Sequence, residues 1–167
     1  YFTNRNFRVV GEDGRVFGYG RSVWAMIDTD TRQPQDILAI HDGAIKGWIE
    51  TGKECPIEKS SRVKMSADAS IVRTIDTGYS DVDVNGHVNS VKYIEHVLDL
   101  FDIEWHRTHR LKRFEIAYVA ESHGGDKLSF YREETAEGEF CVRIVKSPAD
   151  ASGDVEVCRS KVKFINI

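Results

Sequence analysis

Asp81-Val82-Asp83-Val84-Asn85-Gly86-His87-Val88-Asn89-Ser90-Val91-Lys92-Tyr93 gathers two Asp, two Asn and a His into positions 81–89, directly ahead of an apolar-periodic run. In that run Val91, Ile94, Val97, Leu98 and Phe101 recur at spacings of three and four, which predicts one helix with a single apolar stripe. The polar stretch therefore sits at a helix entrance. A helix N-terminus leaves its first N–H groups unpaired and carries partial positive charge, so it can hold a carbonyl oxygen that becomes negative during reaction. The plain alternative is a polar loop ending in an ordinary N-cap, where Asp and Asn bond the orphan amides.

Outward from the helix, the text on both sides reads as strands. Upstream, Ser70 to Asp76 is strand-like. Downstream, Phe114, Ile116 and Tyr118 alternate with Arg113, Glu115 and Ala117, so one face is core and the other partly wet. Gly124-Gly125-Asp126 reads as a hairpin into Leu128–Glu133, and Glu137-Gly138 as another into Phe140–Val145. Asp150–Asp154 makes a last turn before Val155–Ile167, where the apolar parity changes between Val157 and Val162 and predicts a bulge or a strand buried on both faces.

The first part of the chain is different in texture. Phe7–Val10, a turn at Glu12-Asp13-Gly14, and Val16 to Ile27 predict a hairpin, with Gly18 and Gly20 marking a bulge or close backbone approach. A helical or irregular segment from Gln35 to Glu50 is interrupted by Gly43 and Gly47. From Gly52 to Ala69 the text is polar, contains Pro56 and has no clear period, which suits a linker.

The order of residue types in the polar stretch resembles the signature of the acyl-acyl carrier protein thioesterases, the plant plastid enzymes and their bacterial relatives. That signature runs Asp-x-Asn-x-His-Val-Asn-Asn-x-x-Tyr, and Asp83, Asn85, His87, Val88, Asn89 and Tyr93 occupy those places here. Ser90 stands where the second adjacent Asn is usual. Strand, helix and antiparallel meander together match a hotdog fold, a sheet wrapped around a central helix. The resemblance implies an α+β tandem (double) hotdog: residues 1–52 the remainder of a first repeat, incomplete in this chain, 53–68 a linker, and 69–167 the second repeat carrying the motif.

Thioester hydrolysis requires a nucleophile or base, a group to orient it, and donors for the developing oxyanion. The resemblance implies that the carboxylate comes from the end of the strand after the helix, where a Glu is often followed by Cys. The corresponding text is Tyr118-Val119-Ala120-Glu121-Ser122, so Glu121 takes the carboxylate position and Ser122 replaces the Cys. The expected site is thus Asp83, Asn85, His87 and Glu121. Glu121 activates water or attacks directly, Asn85 and His87 position it or the thioester, and Asp83 orients the loop or His87. Amides near Gly86 and His87 take the carbonyl oxygen, while Asn89, Tyr93 and Ser122 support the loop or line the pocket.

Composition narrows the classes. An apolar fraction of 41% with 30% charged residues describes a globular chain, and apolar runs such as Val23–Ile27 are strand-sized. A net charge of −4 disfavours non-specific nucleic-acid binding. Cys55, Cys141 and Cys158 form neither a disulfide framework nor a zinc knuckle, which points to a reducing cytoplasm. His106 and His109 have a metal-compatible spacing but no third ligand nearby, so neither metal nor other cofactor is expected. Arg107, Arg110, Lys112 and Arg113 make a local basic cluster suited to an acidic acyl carrier protein or the phosphates of its phosphopantetheine arm, or simply to solvation. The expected reaction is hydrolysis of fatty acyl-acyl carrier protein to free fatty acid, ending chain elongation in fatty acid biosynthesis. An acyl-coenzyme A thioesterase and a non-catalytic hotdog scaffold are the competing readings, and a homodimer is an open assembly state.

Overall fold

The computed structural model of the chain describes residues 2–67, 69–148, 150 and 152–167. They fall into two units, Tyr1–Lys59 and Ser60–Ile167.

The first unit is built on a hairpin of β1 (Phe2–Val10) and β2 (Val16–Ala25), paired from Phe2↔Ala25 with a register shift between Val9 and Val10. Phe, Tyr, Trp, Val and Thr residues give the two strands their β propensity, and Gly14 at φ 81 makes the turn that the Glu12-Asp13-Gly14 text predicts. Between Gln35 and Glu50 the chain forms 3-10 turns over Ile40–Trp48, broken where His41, Asp42 and Gly43 adopt positive φ.

In the second unit, β3 (Ser70–Asp76) coincides with the predicted strand. It is followed by a 3-10 turn at Tyr79–Asp81, helix α1 (Ser90–Leu98) and helix α2 (Ile103–Thr108). Four strands complete it: β4 (His109–Tyr118), β5 (Lys127–Ala136), β6 (Glu139–Ser147) and β7 (Val155–Asn166). All pairings are antiparallel, in the order β3-β5-β6-β7-β4. The inner face of this sheet holds α1, the hotdog arrangement. Tyr93 and Val97 from the helix pack with Leu128, Phe130, Phe140, Val142, Ile144, Val157, Val162 and Phe164. Burying each such side chain contributes about 1.5–3 kcal/mol, so this one cluster dominates the stability of the unit.

Several expectations need correcting. Gly124-Gly125-Asp126 does not close a hairpin: β4 pairs with β7, and β5 lies between β3 and β6. The turn instead clips onto the end of β3, through Thr77 N–H to the Asp126 carbonyl at 2.9 Å and Gly125 N–H to the Thr77 carbonyl at 3.1 Å. The helix is also shorter than its stripe. Val91 is 53% exposed while Tyr93 is buried, and Phe101 packs into the core from beyond the helix end. The stripe over-counted because Val91 lies in the first turn, on the side away from the sheet. The parity change in the last strand is a bulge: the β6–β7 register shifts between Ile144 and Val145, and Val157 and Cys158 are both buried. The turn expected at Asp150–Asp154 lies partly outside the described residues, at Ala151.

Candidate active site

Asn89 caps α1: its side chain accepts from the Val91 N–H at 2.9 Å, and its own N–H donates to the Asp81 carbonyl at 2.7 Å. Ahead of the cap, residues 82–88 form a tight loop, closed by a bridge between Val82 and Val88. Asp83 organises its tip. One carboxylate oxygen accepts from the Asn85 N–H at 2.8 Å and from the His87 N–H at 3.3 Å, and its carbonyl accepts from the Gly86 N–H at 3.0 Å. The Asn85 N–H bond, opposed by partial burial and joined by His87, holds Asp83 below its ordinary carboxylate value. Gly86 at φ 81 is the residue that lets so small a loop turn.

The second contributor is the segment after β4. The Val88 N–H donates to the Ser122 carbonyl at 2.7 Å, and His87 and His123 form a bridge pair with their rings edge to face at 5.0 Å. This junction sets Glu121 beside the motif loop, with its Oε2 3.5 Å from His87 Nε2. The pair is partly solvated, with the His87 side chain 36% and the Glu121 side chain 51% exposed. Lys146 on β6 donates to the Glu121 carbonyl at 2.8 Å and fixes the backbone from the other side.

Of the expected residues, Asp83, Asn85, Gly86 and His87 share one loop, and Glu121 meets His87 there. The Gly86 and His87 amides already face Asp83, so they do not point at an incoming carbonyl. Ser122 is buried, with its backbone holding the loop. Tyr93 lies in the core. Burial pushes its phenol above the ordinary value, opposed by the nearby Ser122 hydroxyl, and neither hydroxyl finds a partner of good geometry. The basic cluster is partly neutralised: Arg107 pairs with Glu104 and Arg113 with Glu115, leaving Arg110 and Lys112 as exposed charges. His109 stacks on Trp105 at 3.7 Å, and His106 faces the Leu98 carbonyl at 3.2 Å.

Sequence reasoning missed a second pair beneath the loop. His96 Nε2 lies 3.1 Å from Asp81 Oδ1, both largely buried, and Gly78 N–H donates to the other Asp81 oxygen at 2.8 Å. Burial raises Asp81, but the Gly78 N–H and then His96 outweigh it, so the carboxyl sits below its ordinary value. The pair ties the loop entrance to α1. A polar residue on the apolar side of the helix, at His96, was the available signal. His123, Asp126 and Thr77 were also passed over. The Asp126 carboxylate accepts from the His123 N–H at 2.8 Å, and Thr77 donates to the His123 carbonyl at 2.8 Å.

The second unit is thus a hotdog with an Asp-braced Asn/His loop at the mouth of its helix, faced by Glu121 from the segment after β4. Residues 64–165 match the family profile of the acyl-ACP thioesterase C-terminal domain, and the chain belongs to that family. It is 51% identical to an acyl-ACP thioesterase from Bacteroides thetaiotaomicron VPI-5482, with a TM-score of 0.87 over 98% of this chain and 63% of that one. The 12:0-ACP thioesterase of Umbellularia californica shares the fold at 20% identity and a TM-score of 0.78, over 99% and 63% of the two chains. A chloroplastic palmitoyl-acyl carrier protein thioesterase of Gossypium hirsutum is 27% identical over 113 residues, 66% of this chain and 27% of its own length. The chain thus spans less than two thirds of the length of each of these three relatives.

Proposed function

We propose that the protein hydrolyses the thioester of fatty acyl-acyl carrier protein, with residues 1–52 as part of a first repeat, 53–68 a linker and 69–167 the catalytic repeat. The observation that carries this reading is the 3.5 Å approach of His87 to Glu121 at the mouth of α1. Glu121 removes a proton from water as the water oxygen bonds to the thioester carbon. His87 holds the carboxylate and the water, and Asn85, exposed at the loop tip, donates to the carbonyl oxygen as it becomes an oxyanion. The intermediate collapses by breaking the C–S bond, and the proton on Glu121 passes to the departing sulfur. The products are a free fatty acid and the carrier's phosphopantetheine thiol. Asp83 sets the loop shape, and Asn89, Tyr93 and Ser122 hold it from below.

The thiols are not the nucleophile in this scheme. Cys158 is buried, which pushes it up to about 12, and burial raises Cys141 as well. Arg110 and Lys112, with the paired Arg107 and Arg113 beside them, offer the acidic carrier a docking edge. Cytoplasmic fatty acid synthesis is the setting this implies. Among the described residues no helix is long and apolar enough to cross a membrane.

The test is hydrolysis of matched acyl chains delivered on acyl carrier protein and on coenzyme A, by wild type and His87→Ala. A carrier-protein preference that Arg110→Ala/Lys112→Ala reduces supports the reading, and equal rates on both carriers overturn the substrate assignment. Near-normal turnover by His87→Ala overturns the site. Hydroxylamine trapping of an acyl-Glu121 anhydride would replace the water step by direct attack.

A further inference from the structure

The face of the sheet away from α1 carries a second charged feature. Phe140, Val142 and Ile144 point at the helix, so Arg143 between them points outward, directly opposite Arg159 on β7. Residues 60–66 cross this outer face as a strap. Ser61 bonds Glu115 of β4 through its N–H at 3.4 Å and its hydroxyl at 3.1 Å, and the Ser66 N–H bonds Glu133 of β5 at 2.8 Å. Val63 is buried beneath, and its carbonyl accepts from Arg159 at 3.4 Å. Between strap and sheet lies a cavity of about 380 Å³ lined by Arg62, Lys64, Met65, Arg143 and Arg159.

The charge accounting of this cavity is one-sided. Its lining holds four cations and no carboxylate. Glu115 and Glu133, on the strands beneath the strap, are engaged by its own donors. Arg159 has Glu156 as partner, whereas Arg143 lies over the Tyr131 ring at 4.6 Å and its Nε is buried with no partner. Like charges directly opposite on neighbouring strands are destabilising, and a buried guanidinium N–H without an acceptor is costly. On a chain of net charge −4, such an arrangement is relieved by an anion with several acceptor oxygens.

We propose that the strap and the outer sheet face form an anion site for a small phosphorylated molecule, a phosphate ester or pyrophosphate, held by Arg143 and Arg159 from the sheet and by Arg62 and Lys64 from the strap. The volume, at the lower end of the roughly 300–1,000 Å³ range of ligand pockets, takes a group larger than bare orthophosphate. This site is separate from His87 and Glu121 and does not depend on the hydrolytic reading.

The experiment is thermal unfolding and calorimetric titration of the full chain with inorganic pyrophosphate, glycerol 3-phosphate and orthophosphate, each against sodium chloride at equal ionic strength. Wild type should gain about 5–10 °C in Tm at a hundredfold excess over Kd for one of the first two probes. Which of them gives the larger gain tells inorganic from organic phosphate. Arg143→Met, and independently Arg62→Ser/Lys64→Ser on the exposed strap, should each weaken binding at least fivefold while thioester hydrolysis stays unchanged. If Arg143→Met does not fold, the strap variant decides. A Tm response no larger than that to chloride, or a loss smaller than fivefold in the strap variant, overturns the proposal.

Discussion

Replacing Glu121 by Gln keeps the size and planarity of the side chain while removing its charge and its basicity. The structure allows the structural and chemical consequences to be separated. At 3.5 Å the His87–Glu121 pair would be worth about 1 kcal/mol in a water-like dielectric, even with the imidazole fully charged. Exposures of 36% and 51% place it near that limit, where measured pairs contribute about 0–1 kcal/mol. For a chain of this size that is a Tm change of at most about 4 °C. A general base, by contrast, contributes about 10²–10⁴ in rate, or roughly 2.7–5.5 kcal/mol of barrier. The assay is release of the carrier thiol, followed with a chromogenic thiol reagent, beside a thermal melt of the same preparation. The expected result is a fall in kcat of at least a hundredfold with a melt shifted by no more than a few degrees. A variant with an unaltered melt and a kcat within threefold of wild type would refute the role of Glu121.

Three further outcomes follow from the same structure. Asp81 is held below its ordinary value in the folded state, so its contribution to stability is full above the unfolded value of about pH 4 and drains away as pH falls through the lower folded value. Melts between pH 2 and 6 should therefore show a shallower acid limb for Asp81→Asn than for wild type, and superimposable slopes would contradict the assignment. Val97→Ala removes buried methyl groups at a fully enclosed position and should cost about 2–3 kcal/mol, seen as a drop of about 5–10 °C in Tm. Cys158, pushed up to about 12, carries only about one thiolate in 10⁴ at pH 8 and should resist iodoacetamide in the native state. Peptide mapping that finds it labelled as fast as Cys55 would show the strand bulge to be open.

The local parts of this architecture are legible in the sequence. Ser70–Asp76 needed only alternation and flanking breakers, and the break in parity at Val157 announced its bulge. The Asn85–Gly86–His87 loop at a helix entrance was equally plain, because its hydrogen bonds close within a few residues, whereas the cap fell to Asn89, read as loop support or pocket lining. What escaped was long-range. Gly124-Gly125 looks like a hairpin turn, yet the strands it joins are not neighbours, since β7 arrives about forty residues later to take the place beside β4. Val91 counted as core because apolar spacing does not say which side of a first turn faces the sheet. The Asp81–His96 pair and the Thr77–His123 contact depend on such non-local placement, and so does the strap whose donors occupy Glu115 and Glu133.

The bond from the Val88 N–H to the Ser122 carbonyl joins residues far apart in sequence, across a stretch that holds both helices and β4. Under the proposed chemistry, the site is complete only once that stretch has folded. Turnover, if the proposed reaction holds, doubles as a gauge of how far the 60–167 unit has assembled. A destabilised variant will lose output in step with its folded population, even when every reacting side chain is intact.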